Sequence, residues 1–232
     1  MKINEKLIND LREWLRVFIE DNCIYRVPPN EPNLPTREGE LKYAWQFYLR
    51  RGLFNARFLN AVGILFWEKF APLYAKRPFQ IAGLETGSTP LLTAIALTSH
   101  LYGIEVNALS IRAERKKYGL KNRFEGIIDY TLPVVLIDDL CNSKETLAWA
   151  KYYCEIEGLK IYNKAFVLVN KNTEGASADY DKYIGPEIKV ESIFTIGDLH
   201  MDWHAYDFMC KMKNREKGFW KLENIKEDKV KR

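Results

Sequence analysis

Two adjacent carboxylates, Asp138 and Asp139, follow a run of β-forming residues and precede a polar loop. That loop contains Asn142, Ser143 and Thr146, and an apolar run typical of a helix comes next. Adjacent side chains on an extended backbone point to opposite faces, so one acid can face a ligand while the other holds the loop or reaches a second hydroxyl. Free N–H groups and the helix dipole favour a phosphate at such a helix start. Together these features are suited to binding a phosphorylated ribose.

The same residues also fit a purely structural interpretation. Ser143 or Asn142 could be the N-cap of the following helix, with Asp139 as a turn residue. The pattern alone favours neither interpretation over the other, and both stay open at this point.

The rest of the chain predicts an open, mainly parallel, twisted α/β sheet flanked by helices, because apolar strands alternate with helical segments. Helices are expected at residues 3–20, 54–74 and 145–158. Residues 79–101 are expected to form a strand, a loop and a helix. Further strands are expected at residues 41–49, 105–113, 133–140, 164–170 and 190–196.

Three polar loops fall at the carboxyl ends of these strands, at residues 85–89, 138–146 and 170–175. Ligands of open α/β sheets bind outside the carboxyl ends of the strands. The three loops therefore locate the expected site. The chain is expected to divide into an N-terminal helix and hood segment (1–40), an α/β domain (41–210) and a charged, solvated C-terminal tail (211–232).

Composition and charge are those of an ordinary globular protein. The 232 residues include 35 basic and 31 acidic ones, a net charge of +4 that gives no argument for nucleic acid as a partner. No apolar run approaches the roughly 20 residues of a membrane span, and the N-terminus lacks the order of a signal peptide. We therefore expect a cytoplasmic protein in which the scattered cysteines are free thiols: Cys23, Cys141, Cys154 and Cys210.

Several motifs together resemble the type I phosphoribosyltransferases, and among these the orotate phosphoribosyltransferases. The segment "VVLIDDLCNSKET" is similar to the family's signature for 5-phosphoribosyl 1-pyrophosphate (PRPP). "GLETGSTPLL" is similar to its pyrophosphate loop, and "RAERKKYGLKNRFEG" to its mobile catalytic loop. "FVLVNKNTEG" and "ESIFTIGDL" resemble its last two strands, and the motifs occur in the family's order over about residues 40–200.

The resemblance implies transfer of a phosphoribosyl group from PRPP to a nitrogen of a base, with Mg²⁺ carried by the pyrophosphate. Lys116 aligns with the family's mobile-loop lysine and Arg112 with an arginine that contacts the pyrophosphate. Without the resemblance, Lys116 is one of several basic residues that fit a solvated loop. The family's loop reaches the neighbouring subunit, which implies a homodimer.

The resemblance also assigns the binding residues. Tyr48 and Lys171 are candidates for contact with the base. No protein residue is assigned as a ligand of a metal ion. The candidates for contact with PRPP are Asp138, Asp139, Asn142, Ser143, Lys144, Thr146, Thr86, Gly87 and Ser88.

Several ligand-facing positions differ from the family pattern. The phosphate loop, which has paired glycines in the family, has Lys144 and Glu145 here. Ala113 and Tyr118 replace a cation and a histidine of the mobile loop, and Ser88 replaces a glycine of the pyrophosphate loop. Asn170-Lys171 stands where the family has Asp-Arg, and lysine lacks the bidentate fork of arginine. These differences predict an altered base substrate or reduced catalysis.

Two other hypotheses come from the sequence. The first is a non-catalytic sensor of PRPP or a nucleotide, which could work with a partner protein or be switched on by one, as in a defence operon. The second is a metal site at "DLHMDWH", where His200 and His204 are spaced by one helical turn with Asp198 and Asp202 between. The aromatic cluster of Trp45, Phe47 and Tyr48 is attributed to packing, although it falls where the family stacks its base.

Overall fold

Helices and strands alternate along the chain in the computed structural model, which describes residues 4–28, 31–35, 39, 41–113, 122–171 and 184–200. Within these residues the α-helices are α1 (Glu5–Asn22), α2 (Ala56–Lys76), α3 (Ser88–Thr98) and α4 (Glu145–Ile156). The strands are β1 (Ile24–Arg26), β2 (Leu34–Pro35), β3 (Leu41–Tyr43), β4 (Trp45–Phe47), β5 (Gln80–Leu84), β6 (Ala108–Ile111), β7 (Phe124–Glu125), β8 (Val134–Cys141), β9 (Ile161–Asn170) and β10 (Lys189–Thr195). Short 3₁₀ helices occupy Leu49–Phe54, Ser99–Tyr102 and Ile196–Asp198.

The described strands β5 to β10 form the central sheet, in the order β10-β9-β8-β5-β6-β7. Its neighbouring strands are parallel except β6 and β7, which form an antiparallel hairpin. The expected mainly parallel α/β fold is therefore confirmed. Because the parallel strands end at one edge, the segments that follow β5, β8 and β9 come together there.

Helices cover both faces of the sheet, and the side chains of β8 alternate between the two. Ile137 belongs to the core formed with α1, α2 and α3. Leu136 belongs to a second core formed with α4. Burial on both faces explains why the strand is a nearly continuous apolar run. The same alternation places Asp138 on the α4 side of the sheet and Asp139 on the α3 side.

The N-terminal part adds α1 and two small antiparallel sheets. The Asn4 side chain caps α1 by accepting a hydrogen bond from the Lys6 N–H at 2.9 Å. Leu15 and Ile19 of α1 are fully buried in the core shared with α2. Strand β1 pairs with β4, and β2 pairs with β3. The expected N-terminal helical addition is confirmed, while the division at residues 40 and 210 stays a prediction.

The single strand expected at residues 41–49 is wrong. The segment contains two short strands, β3 and β4, which are interrupted at Ala44. The break arises because the two strands pair with different partners, and the Ala44 carbonyl accepts a hydrogen bond from the Val27 N–H at 2.9 Å. Tertiary pairing thus overrides the local β propensity.

Other expectations concern the cysteines and the membrane. Cys23, Cys141 and Cys154 are buried and form no disulfide, as predicted, whereas Cys210 lies outside the described residues, as does the charged tail. No helix in the described part of the chain is both long enough and apolar enough to cross a bilayer.

Candidate active site

The acid pair lies inside β8, which continues to Cys141, and not at the point where the chain leaves the core, as the sequence suggested. Asp138 is only 5% exposed and Asp139 is half-buried. Asp138 accepts a hydrogen bond from the Asp139 N–H at 3.0 Å and another from the Thr146 hydroxyl. Asp138 therefore ties the strand to the first turn of α4, and Asp139 faces the opposite side.

Burial dominates the electrostatics of the acid pair. Burial and then the charge of Asp139 raise the pKa of Asp138 to about 8. Burial also raises the pKa of Asp139, although the Leu140 N–H and the charge of Arg50 act in the opposite direction. Two neighbouring buried carboxylates cannot both ionise freely, so the pair retains a proton above the ordinary range of aspartate. Desolvated acids of this kind occur more often at functional sites than elsewhere.

The loop that follows β8 enters α4 through a left-handed residue. Lys144 has φ 63° and ψ 5°, and within the described residues it is the only non-glycine residue with positive φ. Its carbonyl accepts a hydrogen bond from the Ala148 N–H at 2.9 Å, so α4 begins directly after it. Asn142 is exposed and Ser143 is half-buried. Glycine adopts this conformation without strain, so the loop has the shape of a glycine loop with lysine in its place.

The loop between β5 and α3 lies against the acid pair. A Cβ atom on Gly87 would come within 3.2 Å of Asp139 Oδ1, so only glycine fits there without moving the carboxylate. Thr86 is exposed. Ser88 is fully buried, and its hydroxyl donates a hydrogen bond to the Leu84 carbonyl at 2.5 Å. The Ser88 hydroxyl is therefore directed into the core and not towards a ligand.

Arg112 follows β6 and lies next to the same loop. Its Nε donates a hydrogen bond to Glu125 Oε1 at 2.9 Å, and its Nη1 is 3.8 Å from Glu85 Oε2. Since Glu85 belongs to the segment that leads to Gly87, the guanidinium lies beside the predicted pyrophosphate loop. Lys116, the second predicted catalytic cation, is outside the described residues.

The predicted base side of the site contains Lys171, directly after β9. Its N–H donates a hydrogen bond to the Cys141 carbonyl at 2.8 Å, and its Nζ is 4.5 Å from the centroid of the Trp45 ring. Tyr48, the predicted partner, is half-exposed and has the Arg51 guanidinium 5.5 Å from its ring centroid. The aromatic ring against Lys171 is thus Trp45, which the sequence analysis attributed to packing.

Arg50 is a further residue that the sequence analysis missed. Its charge partly offsets the rise in the pKa of Asp139 that burial causes, so Arg50 interacts electrostatically with this acid. It is exposed on the 3₁₀ helix that follows β4. The available signal was a basic pair, Arg50 and Arg51, directly after the aromatic cluster and the strand expected at residues 41–49.

The described residues contain no group of three or more His, Cys, Asp or Glu side chains that could hold a metal ion. Two residues of the metal site predicted at "DLHMDWH", Asp202 and His204, lie outside the described residues. The Asp198 carboxylate accepts hydrogen bonds from the Thr195 N–H at 2.6 Å and from its hydroxyl at 2.7 Å. Asp198 thus closes a local turn with Thr195.

Comparisons of the sequence and of the structure with known proteins point to the same kind of protein. No family model matches the chain. The orotate phosphoribosyltransferase of Thermosynechococcus vestitus is 29% identical over 146 residues, which cover 62% of this chain and 72% of that protein. The crystal structure of Mycobacterium tuberculosis orotate phosphoribosyltransferase in complex with Fe(III) dicitrate has a TM-score of 0.65 at 19% identity, covering 82% of this chain and 99% of that one. The same enzyme in complex with PRPP has a TM-score of 0.60 at 18% identity, with the same coverage.

The chain is similar in sequence to orotate phosphoribosyltransferases and has the fold of phosphoribosyltransferases. Their fold, expected from the motifs, is confirmed by the structural likeness, and the sequence likeness is to orotate phosphoribosyltransferases. Lys144 has a positive φ, a conformation that glycine adopts without strain and at which the resemblance expects a glycine. The individual site residues stay predictions, but the acid pair, the phosphate loop and the Gly87 loop do meet at one edge of the sheet.

Proposed function

We propose that the chain is a PRPP-dependent phosphoribosyltransferase that transfers the phosphoribosyl group to a base-like acceptor and releases pyrophosphate. The observation that carries this proposal is the buried acid pair of β8. One acid contacts the first turn of α4 through Thr146, and the other lies against Gly87. Burying a carboxylate is costly, whereas a carboxylate beside a ribose hydroxyl gains a strong charge-assisted hydrogen bond, which favours a receptor over a structural N-cap.

Each part of the site has a distinct role in this proposal. Asp139 accepts hydrogen bonds from the ribose hydroxyls, and Asp138, on the opposite side of β8, holds the first turn of α4 through Thr146. The 5′-phosphate binds at the N-terminus of α4, where the orientation of the backbone N–H groups and the helix dipole favour an anion, and Lys144 adds positive charge. The pyrophosphate binds along Thr86 and Gly87, where the absence of a side chain lets the backbone approach a ligand.

The reaction breaks the bond between ribose C1 and the pyrophosphate oxygen and forms a bond from C1 to a nitrogen of the acceptor. Positive charge develops on the ribose and negative charge on the departing pyrophosphate. Arg112 and Lys116 are proposed to stabilise that negative charge, which is largest in the transition state. Arg112 is already next to the pyrophosphate loop but paired with Glu85 and Glu125, so the ligand has to share or replace these partners.

Mg²⁺ is part of the proposal as an ion that arrives with PRPP. Magnesium commonly uses one or two carboxylates together with substrate phosphates and waters. Asp138 and Asp139 can provide such a carboxylate, whereas the described residues offer no larger cluster. The ion would neutralise charge on the pyrophosphate.

The acceptor is proposed to be a planar, base-like molecule that need not be orotate. Trp45 offers an aromatic face, and Lys171 lies over it as a cation. Lysine is a point charge and cannot hold a carboxylate through two parallel hydrogen bonds as arginine does. An acceptor with a single acidic group or carbonyl is therefore favoured over one that requires bidentate recognition.

The homodimer implied by the family resemblance is also a proposal. If the segment with Lys116 acts in the neighbouring subunit, subunits with Lys116→Ala and subunits with Asp139→Asn should complement each other. In a mixed dimer, one of the two sites has both residues intact. Mixing the inactive variants should restore part of the activity, and no recovery despite confirmed subunit exchange would contradict action across a dimer.

A second candidate function is a non-catalytic sensor of PRPP or of a nucleotide. It is favoured by the phosphate loop, where Lys144 occupies a strained left-handed position and Glu145 brings a carboxylate next to the phosphate site. A carboxylate near a phosphate dianion is unfavourable unless it turns away. Such a sensor would bind PRPP through the acid pair without turnover and could pass the signal to a partner protein.

Two measurements on the wild-type protein decide between these functions. The first is calorimetric binding of PRPP in the presence of Mg²⁺. The second is release of pyrophosphate from PRPP with a panel of purine and pyrimidine bases. Binding with base-dependent release supports the enzyme, and binding without release supports the sensor. Absence of binding at millimolar PRPP contradicts both.

A further inference from the structure

Arg123 lies directly before β7, and its side chain binds the backbone that follows β6. Its Nη1 donates hydrogen bonds to the Arg112 carbonyl at 2.9 Å and to the Ala113 carbonyl at 3.0 Å. In return, the Arg112 N–H donates a hydrogen bond to the Arg123 carbonyl at 2.8 Å. Charge-assisted hydrogen bonds of this kind are stronger than neutral ones, so the backbone around Arg112 is held in place by Arg123.

The same guanidinium also contacts α4. The central carbon of the Arg123 guanidinium lies 3.9 Å from the centroid of the Tyr153 ring. Tyr153 is half-buried and packs against the core between α4 and the sheet. This distance is well within the range of a cation–π interaction. Arg123 therefore connects the end of β6 with the helix that begins at the proposed phosphate loop.

The Arg112 side chain is held separately from its backbone. Glu125, on the short strand β7 just after Arg123, accepts a hydrogen bond from Arg112 Nε at 2.9 Å. Glu85, in the segment that leads to Gly87, lies on the other side of the guanidinium. The backbone position of Arg112 decides where its guanidinium can reach, and that position is fixed by Arg123.

We propose that Arg123 is a positioning residue: it holds the backbone of Arg112 and couples it, through the Tyr153 ring, to α4 and the phosphate loop. This inference deepens the proposed function and rests on it. Arg123 acts through Arg112 and does not touch the substrate. Two cationic side chains close together would repel, and the two carbonyls, the tyrosine ring and Glu125 offset that repulsion.

Arg123→Ala tests the proposal through steady-state kinetics with PRPP. Small displacements of a group that stabilises the transition state have large effects on rate, so kcat should fall by about tenfold or more. The KM for PRPP should change by less than about twofold, because ground-state binding depends on the acid pair. Arg123→Lys keeps the charge over the ring but not the forked donor, and should recover part of the lost kcat.

Matched variants on α4 test the coupling to Tyr153. Tyr153→Leu removes the ring under Arg123 and should lower kcat in the same direction, whereas Tyr153→Phe keeps the ring and should match the wild type. Tyr152→Leu is the control for general effects on the helix, since Tyr152 is 50% exposed. An equal loss in Tyr152→Leu and Tyr153→Leu would overturn the coupling through the ring.

Hydrogen exchange provides a readout that does not depend on catalysis. The Arg112 amide is hydrogen-bonded to the Arg123 carbonyl, so its exchange should accelerate in Arg123→Ala while exchange in β8 is unchanged. A wild type without pyrophosphate release would refute the enzymatic proposal, yet this measurement would still decide whether Arg123 holds Arg112. Unchanged exchange at Arg112, or an active Arg123→Ala variant with wild-type kcat, would overturn the inference.

Discussion

The acid pair and the proposed phosphate loop belong to one strand–loop–helix unit. Their residue types match those expected of a PRPP-binding site to different degrees. Asp138 and Asp139 are the residue types expected for ribose hydroxyls; Asp138 is buried despite the cost of desolvation, and Asp139 is half-buried. In the next loop, Lys144 and Glu145 stand where the family has glycines, yet the backbone keeps a left-handed residue there. The proposed phosphate loop thus combines a backbone conformation suited to glycine with charged side chains. This difference suggests that binding of PRPP is less affected than turnover.

The largest expected effect concerns how the free energy of unfolding depends on pH, because the Asp138 carboxyl group is buried. Folded Asp138 holds its proton up to about pH 8, whereas the unfolded chain releases it near 3.8. The folded state therefore binds more protons over that window, and the free energy of unfolding should fall as pH rises through it, by an amount on the order of a few kcal/mol. Asp138→Asn is neutral at every pH and should lose this dependence.

Urea denaturation at about pH 5 and about pH 8 measures the effect. The Asn variant should be the more stable protein at the higher pH, although it is expected to bind PRPP less well. Parallel loss of stability in wild type and variant between the two pH values would contradict the assignment of a raised pKa to Asp138.

The next effect compares the acid pair with a surface acid. Asp139→Asn should weaken PRPP binding by roughly 10–100-fold, because hydrogen bonds to a charged acceptor contribute about 1.5–3 kcal/mol. Asp10→Asn, on the exposed surface of α1, is the matched control and should bind PRPP like the wild type. Calorimetry gives both dissociation constants. Equal affinities in the two variants would remove Asp139 from the site.

A smaller effect is expected in the phosphate loop, where two substitutions separate charge from conformation. Lys144→Ala removes the charge but leaves an L residue at φ 63°, whereas Lys144→Gly also relieves the strain. The glycine variant should therefore be more stable than the alanine variant by about 1 kcal/mol. Both should bind PRPP more weakly than the wild type if the lysine charge replaces interactions of the glycine loop. If only the alanine variant binds weakly, the charge is irrelevant.

The smallest effect concerns the base side. Lys171→Arg restores a planar fork and should improve the affinity for a carboxylate-bearing base such as orotate by a few-fold, equivalent to about 1 kcal/mol. Lys164→Arg, in the first half of β9, is the matched control, since Lys164 pairs with Glu191. Competition binding with PRPP present measures the change. Equal effects of the two substitutions would place the acceptor elsewhere.

The sequence predicted those strands and helices whose apolar pattern is uninterrupted and whose end is marked by a residue such as glycine. The apolar run of β8 and the amphipathic α4 are both found, and Gly158, with φ 82°, follows the end of α4 as expected. The residue types drew attention to the acid pair but left its role open, and its position inside β8, which continues to Cys141, was not predicted. These predictions depend on local pattern, which the chain contains in full.

Features that depend on tertiary pairing or on backbone angles were not predictable. The break at Ala44 and the hairpin strand β7 arise from partners that are distant in sequence or in an unpatterned charged segment. The Ser88 hydroxyl is directed into the core because it donates a hydrogen bond to the Leu84 carbonyl. Lys144 has a positive φ, although lysine prefers negative φ values. Trp45 looked like a packing residue because its contact with Lys171 joins two separate segments.

The central claim is that the acid pair binds PRPP in the ground state, whereas the cations that follow β6 act on the departing pyrophosphate. The most direct test is the kinetics of pyrophosphate release by Lys116→Ala and Asp139→Asn, with PRPP binding measured on the same samples. Lys116→Ala should lower kcat far more than PRPP affinity, and Asp139→Asn should mainly weaken PRPP binding. If both variants lose affinity and turnover in the same proportion, or if neither loses anything, this division of the site is contradicted.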